Sequence, residues 1–109
     1  MTRPELSVTH TRDGDRLVVR LSGELELATK ATLRTAIAGA LTDQVRQIMV
    51  DASGLTFCDS TGVSTLVNLC RTADVAGRQL WVANLQPRVR RVLEITGMMT
   101  YLTRGPTQR

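Results

Sequence analysis

Aromatic side chains are scarce in this sequence of 109 residues, with Phe57, Trp81 and Tyr101 one of each kind. Single-stranded nucleic acids are usually gripped by stacking bases on such rings. A formal charge of +4 and a pI near 10.0 raise the question of nucleic-acid binding, but the basic residues are scattered (Arg12, Arg16, Arg20, Arg34, Arg46, Arg71, Arg78). The one local cluster, Arg88, Arg90 and Arg91, reads as a solvated helix face. No direct contact with nucleic acid is expected.

Histidine is rarer still: His10 stands alone, in a segment expected to be the first strand and far in sequence from any candidate nucleophile. No Gly-x-Ser-x-Gly elbow, Walker loop or Gly-x-Gly-x-x-Gly turn occurs, so neither catalysis nor a bound cofactor is expected. The two cysteines, Cys58 and Cys70, form no Cys-x-x-Cys pair and have no histidine nearby. This excludes zinc and thioredoxin-type chemistry and leaves reduced, inert thiols. No metal site is expected.

Long apolar runs are missing as well. Nothing approaches the roughly 18 uninterrupted residues of a membrane-spanning helix, and Met1 to Leu6, with Arg3, Pro4 and Glu5, has no signal-peptide core. The expectation is a cytoplasmic protein with no membrane insertion. At 42% hydrophobic and 22% charged, with a mean hydropathy of -0.05, the chain has the composition of one globular domain. That domain is placed at 1–109, with a core over about 6–102 and a loose tail over 103–109.

What is present is a sequence of alternating periods. Leu6 to Arg12 and Arg16 to Ser22 flank Asp13-Gly14, which reads as a hairpin with Leu17, Val19 and Leu21 on one face. Leu33, Ile37, Ala40 and Leu41 mark a first helix over about 30–42 behind Thr29 as N-cap. Gln47 to Asp51 reads as a central parallel strand, buried on both faces and ended by Ser53-Gly54. Val63, Leu66, Val67, Cys70 and Ala73 give a second helix over about 61–76, closed by Gly77. Gln79 to Asn84 is a further strand. Pro87 opens a third helix with Val89, Val92, Leu93 and Thr96 inward, and Gly97 stops it. Met98 to Leu102 reads as a short last strand. The fold class is α/β, with a mixed sheet of four to five strands packed with three to four helices.

The segment that carries chemistry is Leu55-Thr56-Phe57-Cys58-Asp59-Ser60-Thr61-Gly62-Val63, between the central strand and the second helix. Two readings fit Asp59 and Ser60. As N-cap residues they hold the first helical N–H groups and do nothing else. Alternatively Ser60 is a modification site, since a phosphate at a helix N-terminus meets unpaired N–H donors and the positive end of the dipole, and the domain need not unfold to accept it.

Three segments carry a resemblance: Leu21-Ser22-Gly23-Glu24-Leu25-Glu26, Asp51 through Gly62, and Gln86-Pro87-Arg88-Val89-Arg90-Arg91-Val92-Leu93-Glu94-Ile95-Thr96-Gly97. In this order and spacing, from about residue 6 to 102, the chain resembles the anti-sigma factor antagonists of the STAS fold. The resemblance implies a STAS-like single domain, monomer or weak dimer, with Ser60 as the phosphorylated serine and Asp59, Thr61 and Gly62 completing its motif. It implies as partner an anti-sigma factor that is also a serine kinase. The unphosphorylated antagonist binds this kinase and releases a sigma factor; phosphorylation separates the two, and a metal-dependent serine phosphatase resets the switch. Asp59 then fixes the turn and orients the hydroxyl, Thr61 is structural or a second phosphate acceptor, and Gly62 lets a partner approach closely. Glu26 departs from the aspartate usual in the family's loop and is assigned to the partner interface, with Leu25, Leu27 and Thr29 bordering it. STAS-like domains also serve as scaffold or nucleotide-binding sensor subunits of signalling or transporter assemblies, which is the alternative function.

Overall fold

The computed structural model describes residues 3–106; the first two residues and the end of the expected loose tail lie outside them. The hairpin forms one residue later than expected. β1 (Leu6–Asp13) and β2 (Arg16–Leu25) pair antiparallel with Asp13 opposite Arg16, so Gly14 and Asp15 make the turn, and Gly14 supplies its positive φ of 62°. Leu17, Val19 and Leu21 are buried along β2, as the alternation requires.

After β2 come α1 (Lys30–Ala40), β3 (Gln47–Cys58), α2 (Ser60–Val75), β4 (Gln79–Ala83), α3 (Pro87–Ile95) and α4 (Met99–Thr103). The sheet order is β1-β2-β3-β4, with β2, β3 and β4 mutually parallel. Leu17, Ile48 and Leu80 lie side by side on the face that the helices cover, and Leu33, Leu66, Leu93 and Leu102 from the four helices meet the same core. Burying such side chains is worth about 1.5–3 kcal/mol each and sets which face the helices take. Among the described residues no helix is long and apolar enough to cross a membrane.

Five expectations need correction. β3 does not end at Ser53-Gly54 but runs on to Cys58, because two bulges, opposite Arg20 to Ser22 and Gly23 to Glu24, absorb the extra residues. Nor is β3 buried on both faces: Ile48, Val50 and Ala52 are inside while Gln47, Met49 and Asp51 remain half-exposed. Met98 to Leu102 is no strand. Gly97, at φ 73°, ends α3, and the chain then winds into α4 with Leu102 as its buried anchor. Thr96 is exposed, its hydroxyl folded back onto the carbonyls of Val92 and Leu93 at 2.9 and 3.1 Å. Thr29 does occupy the N-cap position of α1 but caps nothing with its side chain; its hydroxyl donates to the Glu24 carbonyl at 2.7 Å and accepts the Glu26 N–H at 3.1 Å.

On the sheet face away from the helices, Trp81 is shielded by the Arg16 guanidinium, 5.4 Å from its ring centroid, and by Gly105. Arg104 and Gly105, expected as tail, therefore lie against the sheet, the Arg104 carbonyl accepting from Gln79 Nε2. Near them on this face, the Asp51 carboxylate takes bonds from the Ser53 N–H at 3.0 Å and Asn84 Nδ2 at 3.2 Å, with Arg20 Nε at 3.8 Å. Burial pushes Asp51 up, but Ser53, Asn84 and the Arg20 charge together outweigh it and hold the acid below its ordinary 3.8. The folded state thus favours the ionised form, a stabilisation complete above the unfolded value and lost as pH falls through the folded one. An Asp51→Asn variant is expected to be less stable than the parent at neutral pH, with the difference closing as pH falls through and below the ordinary carboxylate range. Urea midpoints across that range measure it; a deficit unchanged by acid would contradict the assignment.

Candidate functional site

The loops that follow β2 and β3 leave the sheet side by side, since these strands are parallel neighbours with Leu25 opposite Cys58. This is the carboxyl edge of a parallel pair, where open α/β sheets present their sites. Asp59 caps α2 from extended backbone, and its Oδ1 accepts the Gly62 N–H at 2.9 Å. The first i to i−4 bond of the helix runs from the Val63 N–H to the Asp59 carbonyl at 2.9 Å. Two amides of the first turn, those of Ser60 and Thr61, are left without partners among the described residues.

Ser60 is the first residue of α2 and is exposed. No hydrogen bond joins its hydroxyl to Asp59 among the described residues; the Asp59 oxygen that is engaged holds the turn instead. The Ser60 oxygen lies next to two free N–H donors and the positive end of a helix of 16 residues, an environment that would favour an anion placed there. Ser60 also stands at one end of a surface groove between Val63 and Val67 of α2 and Thr96 and Met98 at the α3–α4 corner. Thr61 is half-buried, and its carbonyl accepts the Thr65 hydroxyl at 2.9 Å.

Gly62 is buried, which changes the reason for its being glycine. A Cβ there would stand 2.6 Å from the Leu25 carbonyl oxygen and 2.7 Å from Cys58 Sγ. The bare Cα lets α2 seat on the end of β2, so this close approach is internal. Cys58 and Cys70 are both buried, and burial pushes both thiols up to about 12, aided by the negative charges of Asp59 and Asp74 respectively. They stay protonated and inert.

Glu26 lies half-buried in the β2–α1 turn, its Oε1 accepting the Ala28 N–H at 2.7 Å and its carbonyl accepting the N–H groups of Thr29 and Lys30. The carboxylate therefore braces its own loop. Leu25 and Thr29 are inside, at 0% and 4% exposure, and underlie the surface; of the three expected neighbours only Leu27, at 66%, faces outward. The sequence reading missed Phe57, 39% exposed at the end of β3 opposite Glu24. An aromatic that breaks the inward pattern of its strand next to a candidate motif was the available signal. The site thus combines a free hydroxyl, two free amides and two exposed apolar side chains on adjoining loops. Among the described residues no group of acidic, histidine or cysteine side chains is arranged to hold a metal.

This fold places the molecule among small α/β domains, and the sequence makes the assignment definite: the chain belongs to the STAS domain family, whose model, described as "Mlab, STAS domain", matches residues 8–104. It is similar to the anti-sigma-B factor antagonist of Staphylococcus aureus strain NCTC 8325 / PS 47, 26% identical over 93 residues that cover 85% of this chain and 86% of that protein. Its fold is that of the anti-sigma factor antagonist SpoIIAA in its unphosphorylated form, with a TM-score of 0.72 at 24% identity, covering 95% of this chain and 90% of that one. The Bacillus cell fate determinant SpoIIAA in the phosphorylated form matches with a TM-score of 0.59 at 23% identity, over 95% and 93% of the two chains.

Proposed function

We propose that this chain is an anti-sigma factor antagonist whose docking to an anti-sigma factor serine kinase is switched at Ser60. The observation that carries the reading is the Ser60 hydroxyl, exposed at the N-terminus of α2 beside two free amides. Its support from outside the chain is the similarity to proteins named as antagonists, one of them solved both with and without phosphate. In the resting form Leu27 and Phe57 supply apolar contacts and Asp59, Ser60, Thr61 and Glu26 the polar ones, and the kinase bound here cannot hold its sigma factor. Gly62 contributes from beneath by fixing where Ser60 stands.

In the switching step the Ser60 oxygen attacks the γ-phosphorus of ATP; its O–P bond forms as the bond to the ADP oxygen breaks, and the hydroxyl proton passes to a base of the kinase. The product carries about −1.5 to −2 extra charges at the helix end. α2 tolerates them, but a partner surface packed against a neutral hydroxyl does not, so the complex separates. Hydrolysis by a serine phosphatase restores the alcohol. The domain is substrate and regulator, and acts in the cytoplasm.

The direct test incubates the full chain with Mg-ATP and each anti-sigma factor kinase encoded in its own genome, followed by fragment mass spectrometry. One phosphate on Ser60 is expected. Its absence with every kinase, or its appearance on Thr61 alone, would sink the proposal.

A further inference from the structure

On the helix-covered side of the sheet, away from Ser60, α1 and α2 leave a cleft of about 140 Å³ that shares no lining residue with the Ser60 groove. Its floor is Ile48 of β3 and Leu80 of β4, both from the core. Its walls are two stripes at helical spacing, Arg34 and Ala38 on α1 with Leu41 at its C-cap, and Leu69 and Ala73 on α2 with Ala76 at its C-cap. The cleft is open to solvent: Ala73 is buried in its wall, Ala38 and Ala76 are exposed at its rim, and these small side chains leave it unfilled. An enclosed aliphatic cavity of about 150 Å³ takes up benzene, and this partly open cleft offers a comparable volume.

The lining has charge of one sign only. Arg34 and Arg78 are its ionisable members, and no carboxylate joins them. Arg78 is fixed, its Nε donating to the Val45 carbonyl at 3.0 Å and one Nη to the Thr42 carbonyl at 3.1 Å, which holds the guanidinium at the cleft while leaving donors over. Arg34 is not in the ion pair found among the described residues, which joins Arg20 to Asp51. Apolar walls of this size beside two guanidinium groups match a compact hydrophobic body that ends in a planar anion, since guanidinium pairs with carboxylate through parallel N–H···O bonds.

We propose that the α1–α2 cleft is a binding site for small hydrophobic carboxylates, with the ring or branched chain between Ala38 and Ala73 over Ile48 and the carboxylate at Arg34 and Arg78. The site is independent of the Ser60 switch and stands whether or not that serine is phosphorylated.

The test is an amide NMR titration of the full chain with phenylacetate, with phenylacetamide as neutral isostere and acetate as headgroup alone. Phenylacetate is expected to bind saturably with a Kd of about 1 mM, shifting the amides of Ala38, Leu69, Ala73 and Ala76. Phenylacetamide is expected to bind about fivefold more weakly and acetate without saturation. Arg34→Gln removes most of the preference for the carboxylate, and Ala76→Leu, which fills the cleft, abolishes binding. Should Ala76→Leu fail to fold, Ala38→Leu fills the cleft from the other wall, and the spectrum of each variant reports its fold. Shifts that never saturate, equal affinity for the amide, or unaltered binding to a folded cleft-filled variant would each overturn the assignment.

Discussion

Ser60→Glu is expected to bind the cognate anti-sigma factor about 100-fold more weakly than the parent, a loss of about 2.7 kcal/mol, while Ser60→Ala binds within a few-fold of it. The asymmetry follows from where the residue stands. Alanine removes a hydroxyl that no group among the described residues holds and leaves the Asp59 cap to Gly62 intact. Glutamate at the first helical position suits the dipole of α2 and leaves the fold unharmed. The cost falls on the complex, in which a carboxylate loses its water against a surface shaped for an alcohol. Calorimetric titration of both variants gives the affinities, with thermal unfolding to show that neither destabilises the domain. A second arm adds ATP to the preformed complexes: the wild-type complex dissociates and the Ser60→Ala complex persists. Equal affinities for parent and both variants would remove Ser60 as the switch.

The parts of the fold that follow one period were legible in the sequence. Leu17, Val19 and Leu21 alternate on a strand and are buried; Val63, Leu66, Val67, Cys70 and Ala73 recur on a helix and are buried. Errors came where the period is broken or too short to read. The buried residues Ala52, Leu55 and Cys58 of β3 are spaced by three, because each bulge adds a residue, and such spacing beside Ser53-Gly54 looks like a turn. The five residues of α4 span little more than one turn, for which strand and helix patterns coincide.

The candidate site divides in the same way. Asp59 as the cap of α2 and Ser60 as an exposed first residue are local facts, and the local sequence carried them. The roles of Glu26 and Gly62 depend on what lies across the sheet edge, which one chain segment cannot reveal. Glu26 turned out to brace its own loop through Ala28, and Phe57 points outward only because the strand runs past its expected end.

Gly62 is where fold and switch are joined, and its replacement has the second large effect. Gly62→Ala is expected to destabilise the domain by about 3 kcal/mol and to lower Tm by roughly 13 °C. The added carbon falls 2.6 Å from a backbone oxygen of Leu25, an atom that cannot swing aside as a side-chain tip does. Relief requires α2 to lift from the end of β2, which displaces Ser60 relative to the Glu26 loop and exposes the seat of Cys58. Binding to the anti-sigma factor should therefore fall even at temperatures where the variant is folded, while Ser60 keeps its hydroxyl. Gly39→Ala is the control: no atom lies within 4 Å of the Cβ it would add, so at its helical position the change should be neutral or stabilising by about 0.5 kcal/mol. Thermal unfolding of the two variants beside the parent decides the matter. A Gly62→Ala domain as stable as the parent would mean that α2 does not seat on β2 through this residue.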